Sequence, residues 1–132
     1  YRGQGITQVA GLDARGFIFG PIVAYELGIG FIPIRKKGKL PYTTVSKSYT
    51  LEYGDVNTVE MHIDAVHKDD AVLVIDDLIA TGGTMLAACS LITDLGAKVV
   101  ECAVVSDLLY LNGSKFIREQ GFKVFSVLEY ND

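Results

Sequence analysis

The residues best equipped for chemistry stand in one stretch. In Val72-Leu73-Val74-Ile75-Asp76-Asp77-Leu78-Ile79-Ala80-Thr81-Gly82-Gly83-Thr84 an apolar run ends in two adjacent carboxylates, and a pair of glycines flanked by threonines follows. A buried strand would carry the two acids to its end, and the glycines would let the backbone come close to a ligand before a helix begins. Amides at that helix start, with the hydroxyls of Thr81 and Thr84, form a phosphate cradle. No lysine follows the glycines, so this is not the GxxxxGK[ST] loop of nucleoside triphosphatases. Carboxylates set directly on a phosphate would repel it, which leaves hydroxyls, a metal ion or a developing cation for Asp76 and Asp77 to face. A sugar phosphate satisfies both halves of the stretch. The bland alternative is a strand–turn–helix with solvated aspartates.

One basic cluster, Arg35, Lys36, Lys37 and Lys39, surrounds Gly38. It reads as a small phosphate-handling site, or else as a solvated loop on a hairpin. His62 and His67 are too isolated to build a metal site and belong at surface or edge positions.

The elements that must position these groups follow from apolar pattern and breakers. Ile6 to Leu12 is a short buried strand, Phe17 to Leu27 a helix closed by Gly28 with Pro21 in its early turns, and Phe31 to Arg35 a second strand. Lys36 to Val45 is polar and holds Gly38 and Pro41, hence a mobile loop. Ser48 to Tyr53 and Thr58 to Ile63 form a hairpin around Gly54 and Asp55. Ala71 to Ile75 is a strand, the helix after it runs through Met85, Leu91 and Leu95 to Gly96, and Val99 to Val105 is a strand. Ser114 to Gln120 is a short helix, and Lys123 to Leu128 closes the series. Strand–helix–strand alternation of this kind predicts an α/β fold, a central and mainly parallel sheet with helices on both faces. Val9, Ile18, Ile22, Leu27, Val74, Leu91 and Val104 are the expected core. Ligands of such folds bind at the carboxyl ends of the strands near a switch in strand order, where Asp13 to Gly16, Arg35 to Lys39 and Asp76 to Thr84 all fall.

The Asp76–Thr84 stretch resembles the phosphoribosyl pyrophosphate (PRPP) loop of the type I phosphoribosyltransferases. The resemblance implies that Asp76 and Asp77 hold the ribose 2′ and 3′ hydroxyls, and that Ala80, Thr81, Gly82, Gly83 and Thr84 grip the 5′-phosphate. Ala10-Gly11-Leu12-Asp13-Ala14-Arg15-Gly16-Phe17 resembles the pyrophosphate loop of the adenine phosphoribosyltransferase family, with Arg15 able to grip an oxygen pair bidentately and the Asp13–Ala14 peptide implied to be cis. An ordinary strand–helix turn with an exposed arginine is its alternative. Arg35 to Pro41, followed by Tyr49-Thr50-Leu51-Glu52-Tyr53-Gly54, is similar to the basic loop and flexible β-hairpin arm of that family. By that likeness Arg35 and Lys39 meet the pyrophosphate, Leu78 lines the base pocket, Tyr53 of the arm is a substrate-binding residue, and Glu52 is the general acid/base at adenine N7. A carboxyl serves there at neutral pH only if closure of the arm desolvates it.

The resemblance therefore implies a type I phosphoribosyltransferase fold that makes AMP and pyrophosphate from adenine and PRPP in purine salvage. Mg²⁺ is the expected cofactor, held by PRPP, pyrophosphate and water rather than by protein ligands, and a homodimer is the expected assembly. Another purine or orotate phosphoribosyltransferase, or a non-catalytic PRPP-binding regulator of the same fold, is the alternative. The family normally adds an N-terminal hood over the base; nothing here corresponds to it, so residues 1–132 are expected to form a single core domain.

Composition agrees with a globular protein: 49% of the 132 residues are apolar and 21% charged. A formal charge of −4 with no dense Lys/Arg run argues against nucleic acid as a partner. Cys89 and Cys102 lack metal-ligand spacing and read as buried free thiols of a reducing compartment. No stretch approaches the roughly twenty apolar residues of a membrane helix, and no signal peptide is evident. A cytoplasmic protein without membrane contact is expected.

Overall fold

The computed structural model describes residues 1–41, 44–50 and 56–132. A seven-stranded sheet runs through them, made of β1 (Gln8–Leu12), β2 (Gly30–Lys36), β3 (Thr44–Thr50), β4 (Val56–His62), β5 (Ala71–Ile79), β6 (Lys98–Leu108) and β7 (Val124–Tyr130). The order across the sheet is β3-β4-β2-β1-β5-β6-β7. Pairs among β2, β1, β5, β6 and β7 are parallel, while β4 is antiparallel to both β2 and β3. Helices α1 (Gly16–Leu27), α2 (Gly83–Asp94) and α3 (Gly113–Glu119) make the parallel crossovers, and a short 3-10 turn over Leu109–Leu111 precedes α3.

The two faces of the sheet bury alternate residues, as the pleat requires. On one side Ala10, Leu12, Ile32, Ile34, Val72 and Val74 pack under α2 and α3 with Leu91, Ile92 and Ile117. On the other, Val9, Leu73, Ile75 and Ala103 pack with Ala24 of α1. Val72, Leu73 and Val74 are fully buried; side chains of this kind each contribute about 1.5–3 kcal/mol on burial. Cys89 and Cys102 are likewise buried and free, their sulfurs 3.4 Å apart between α2 and β6. The contact with Cys89 and burial both push the Cys102 thiol far above its ordinary pKa, so it stays protonated.

Helix α1 departs from the expected core. Ile18 and Ile22 are 61% and 59% exposed, and Leu27 is only half-buried. The buried residues of α1 are instead Gly16, Gly20 and Ala24, spaced four apart on one face. These small residues let the helix axis approach so closely that a Cβ on Gly20 would run into the Phe31 ring. The large residues are thereby turned outward.

The hairpin differs as well. Val59 and Met61 of β4 are 4% and 0% exposed, and Val45 packs against the same cluster. Lys47 pairs with Asp94 of α2 at 3.3 Å. The described part of the arm is thus core structure, where polarity alone had suggested a loop as far as Val45. No described helix is long and apolar enough to cross a membrane.

Candidate active site

Strand order reverses direction between β1 and β5: the chain leaves β1 toward β2 on one side and returns to β5 on the other. The loops leaving these two strands diverge there, and a cleft of about 300 Å³ opens between them. It is lined by Asp13, Ala14 and Arg15 from the first loop, Lys36 from the end of β2, and the continuous stretch Asp76 to Met85. Three loops read from sequence as chemical therefore converge on one cavity.

Each loop is shaped by local backbone. β5 continues four residues beyond its apolar run, so Asp76 and Asp77 sit within the strand, with Asp76 opposite Val104 on β6. The chain then turns at Gly82, whose φ of +90° favours glycine, and enters α2. The first helical bond is donated by the Leu86 amide to the Gly82 carbonyl. Amides before Leu86 have no acceptor within the helix, and the positive end of the helix dipole lies there. At the opposite wall the Asp13–Ala14 peptide is cis, as the resemblance implied. Gly16 then fits against the end of β5, where a Cβ would stand 2.8 Å from the Ile75 carbonyl oxygen.

The charges are paired across the cleft. Arg15 Nε lies 2.9 Å from Asp77 Oδ2, while the Asp77 amide donates to Asp76 Oδ1 at 2.8 Å. Burial pushes the Asp76 carboxyl up to about 7; the hydrogen bond from the Asp77 amide opposes this, the Asp77 side chain adds to the rise, and Arg15 opposes it. At neutral pH Asp76 is thus about half protonated, so its ionised form can accept hydroxyl hydrogens while the site tolerates little further negative charge. Such a pair suits a polyol better than an anion, and the amide cradle beside it suits an anion.

Of the residues expected here, Arg15, Asp76, Asp77, Leu78, Ala80, Thr81, Gly82, Gly83 and Thr84 all line the cleft. Arg35 does not. Its Nε is 3.5 Å from Asp13 Oδ2 and its guanidinium carbon lies 5.7 Å from the Phe17 ring centre, so it braces the first loop from behind. Lys39 is exposed and outside the cleft lining, whereas Lys36 is part of it. Glu52 and Tyr53 lie outside the described residues. Sequence reasoning missed Gly113: a Cβ there would press on the Ala80 carbonyl oxygen, so the first turn of α3 backs the phosphate loop. The Asn112–Gly113 pair, with Asn112 at φ 61°, was the available sign of a tight turn.

Comparison with known proteins agrees with this geometry. The phosphoribosyl transferase domain family matches residues 2–123. An adenine phosphoribosyltransferase of Ralstonia nicotianae is 58% identical over 131 residues, which is 99% of this chain and 66% of the relative. The chain thus spans about two thirds of that relative's length. The crystal structure of adenine phosphoribosyltransferase from Thermoanaerobacter pseudethanolicus superposes with a TM-score of 0.91 at 41% identity, covering 97% of this chain and 73% of that one. The Trypanosoma brucei adenine phosphoribosyl transferase in complex with AMP, pyrophosphate and ribose-5-phosphate gives a TM-score of 0.87 at 34% identity, over 96% and 57%. With an acidic pair, an amide cradle and an arginine loop meeting at the switch in strand order, and with relatives this similar in sequence and shape, the chain belongs to the phosphoribosyl transferase family, on its adenine phosphoribosyltransferase branch.

Proposed function

We propose that this protein transfers the phosphoribosyl group of PRPP to adenine, forming the N9–C1′ bond of AMP as the bond from C1′ to pyrophosphate breaks. The observation that carries this reading is the common cleft: Asp76 and Asp77, the loop from Ala80 to Thr84, and Arg15 all line it. In this reading the two carboxylates bind the ribose hydroxyls, and the loop binds the 5′-phosphate through its amides and the Thr81 and Thr84 hydroxyls. Arg15 and Lys36 hold the leaving pyrophosphate, with Lys39 contributing from the adjoining turn and Arg35 steadying the Asp13 loop. Positive charge that builds on the ribose as pyrophosphate departs is stabilised by the nearby carboxylates. Leu78 borders the base, Glu52 exchanges a proton at adenine N7, and Tyr53 is a further substrate-binding residue.

Mg²⁺ is the proposed cofactor. Such an ion would arrive with pyrophosphate and keep its waters, beside the oxygen donors Asp76, Asp77, Thr81 and Thr84 that line the cleft. Its chemistry there is to offset the charge of the leaving group. We further take residues 1–132 as one catalytic core domain, acting as a cytoplasmic homodimer. Support for the dimer is the outward apolar face of α1, where Ile18, Ile22 and Tyr25 are exposed.

The test is formation of nucleotide and pyrophosphate from PRPP with adenine, hypoxanthine, xanthine or orotate in turn, beside calorimetric titration of PRPP with and without Mg²⁺. Adenine-dependent AMP formation is expected. Turnover of another base instead would reassign the substrate, and PRPP binding with no product from any base would mark a sensor.

A further inference from the structure

The acid Glu60 takes no part in the cleft. It sits on β4 directly opposite Arg35 in the β2–β4 ladder, between Val59 and Met61, which are anchored in the core. Glu60 Oε1 accepts the Gly38 amide at 2.6 Å, and Oε2 accepts the Thr44 hydroxyl at 3.0 Å. Gly38 and Thr44 lie toward opposite ends of the connection between β2 and β3, so one carboxylate clasps both.

We infer that Glu60 is a positioning residue, holding the Lys36–Lys39 turn in place so that its cations meet the pyrophosphate end of the substrate without first being ordered. This rests on the reading that the cleft takes PRPP. Among the described residues the turn's other anchors are the Lys36 amide, which donates to Asp13 Oδ2 at 3.4 Å, the Lys37 amide, which donates to the Thr58 carbonyl at 3.0 Å, and the Lys39 amide, which donates to the Lys36 carbonyl at 3.3 Å. Gly38 has a φ of +85°, and among the described residues nothing lies within 4 Å of the point where a Cβ would stand. A hydrogen bond from that amide to a carboxylate is the strong kind, and the acceptor is carried on β4, whose Val59 and Met61 are buried. Lys36, which leads into the turn, lines the cleft.

Geometry and charge make opposite forecasts, which gives the inference a clean test. As a mere negative charge beside Arg35, Lys36, Lys37 and Lys39, Glu60 would weaken anion binding, and removing it would tighten PRPP. As a clasp it strengthens binding. Apparent affinity falls in proportion to the fraction of molecules holding the competent arrangement, so a turn in place about a tenth of the time costs about tenfold.

PRPP with Mg²⁺ is titrated calorimetrically into the unaltered protein, Glu60→Ala, Glu60→Gln and Thr44→Val, and KM for adenine is measured beside it. Glu60→Ala is expected to raise the PRPP Kd about tenfold with the adenine KM unchanged. Glu60→Gln is expected to stay within about twofold, because its amide can accept from Gly38 and donate to the Thr44 hydroxyl. Thr44→Val should fall between them. PRPP affinity in Glu60→Ala that is unaltered or tighter overturns the inference alone, as does equal weakening in Ala and Gln. If Glu60→Ala does not fold, unaltered affinity in Thr44→Val does the same. Failure of the unaltered protein to bind PRPP overturns the proposed function and this inference with it.

Discussion

Replacing Gly113 with alanine tests whether the phosphate loop is held by what lies behind it. A Cβ at Gly113 would press on the Ala80 carbonyl oxygen and stand 2.8 Å from both the Gly82 nitrogen and the Thr81 carbonyl carbon. Ordinary contact begins near 3.4 Å, so the loop must retreat by about 0.6 Å at Gly82 and further at Ala80. Every atom being pressed is backbone, which cannot swing aside as a side-chain tip can. Overpacking of this kind costs about 1–3 kcal/mol, and for a domain of this size each kcal/mol lowers Tm by roughly 3–5 °C. The larger effect is on the site: displacement approaching 1 Å costs on the order of 10²-fold in rate. The assay is AMP formation from PRPP and adenine, with PRPP affinity and Tm measured on the same samples. Gly121→Ala is the companion variant: its φ is +93° and nothing lies within 4 Å of the added methyl, so it should cost about 1–2 kcal/mol with no change in PRPP affinity. Full PRPP affinity in Gly113→Ala would refute the argument, and an equal loss of affinity in Gly121→Ala would show that global stability was being measured.

Asp77→Asn removes the charge that faces Arg15 at 2.9 Å and is expected to lower turnover about 10²–10³-fold while circular dichroism stays unchanged. Because burial holds the free Asp76 carboxyl up to about 7, and ribose hydroxyls donate to its ionised form, binding expels the proton below that pH. PRPP affinity should therefore weaken about tenfold from pH 8 to pH 6, by calorimetry, beyond any change that Asp76→Asn retains. The same shift makes the ligand-free protein less stable as pH rises from the ordinary aspartate range through 7, which urea titration across that window checks. Met61→Ala, at a fully buried position of the arm, should cost about 2–5 kcal/mol, and an effect under about 0.5 kcal/mol, the range of ordinary surface changes, would show that the arm is not part of the core.

The parallel sheet was legible because β1, β5 and β6 are apolar on both faces and end in acids or glycine, a pattern with few other solutions. The phosphate loop was legible for the same reason, since its function requires small residues and hydroxyls in immediate succession. Helix α1 was misjudged at Ile18 and Ile22 because it is apolar all round, and hydrophobicity cannot choose a face on such a helix. Closeness of approach chose it, through Gly16, Gly20 and Ala24. Arg35 and Lys36 part company because adjacent residues of a strand point to opposite sides, and Lys36 shares the side of Ile34, which also lines the cleft. The Asn112–Gly113 pair could mark a turn but not its partner, the Ala80 carbonyl, and Glu60 acts through hydrogen bonds to Gly38 and Thr44 that no local pattern records.

The Asp13 and Asp76 loops leave strands that are hydrogen-bonded neighbours, with Gly11 opposite Ile75. Their points of departure are consequently held at the interstrand spacing of about 4.8 Å, a quantity that no side-chain exchange can alter. Mutation can change what each loop grips and how far it reaches, yet the gauge between the two roots belongs to the peptide backbone. Moving one root along the other would demand a shift in strand register or an inserted residue, so the two grips share a fixed baseline.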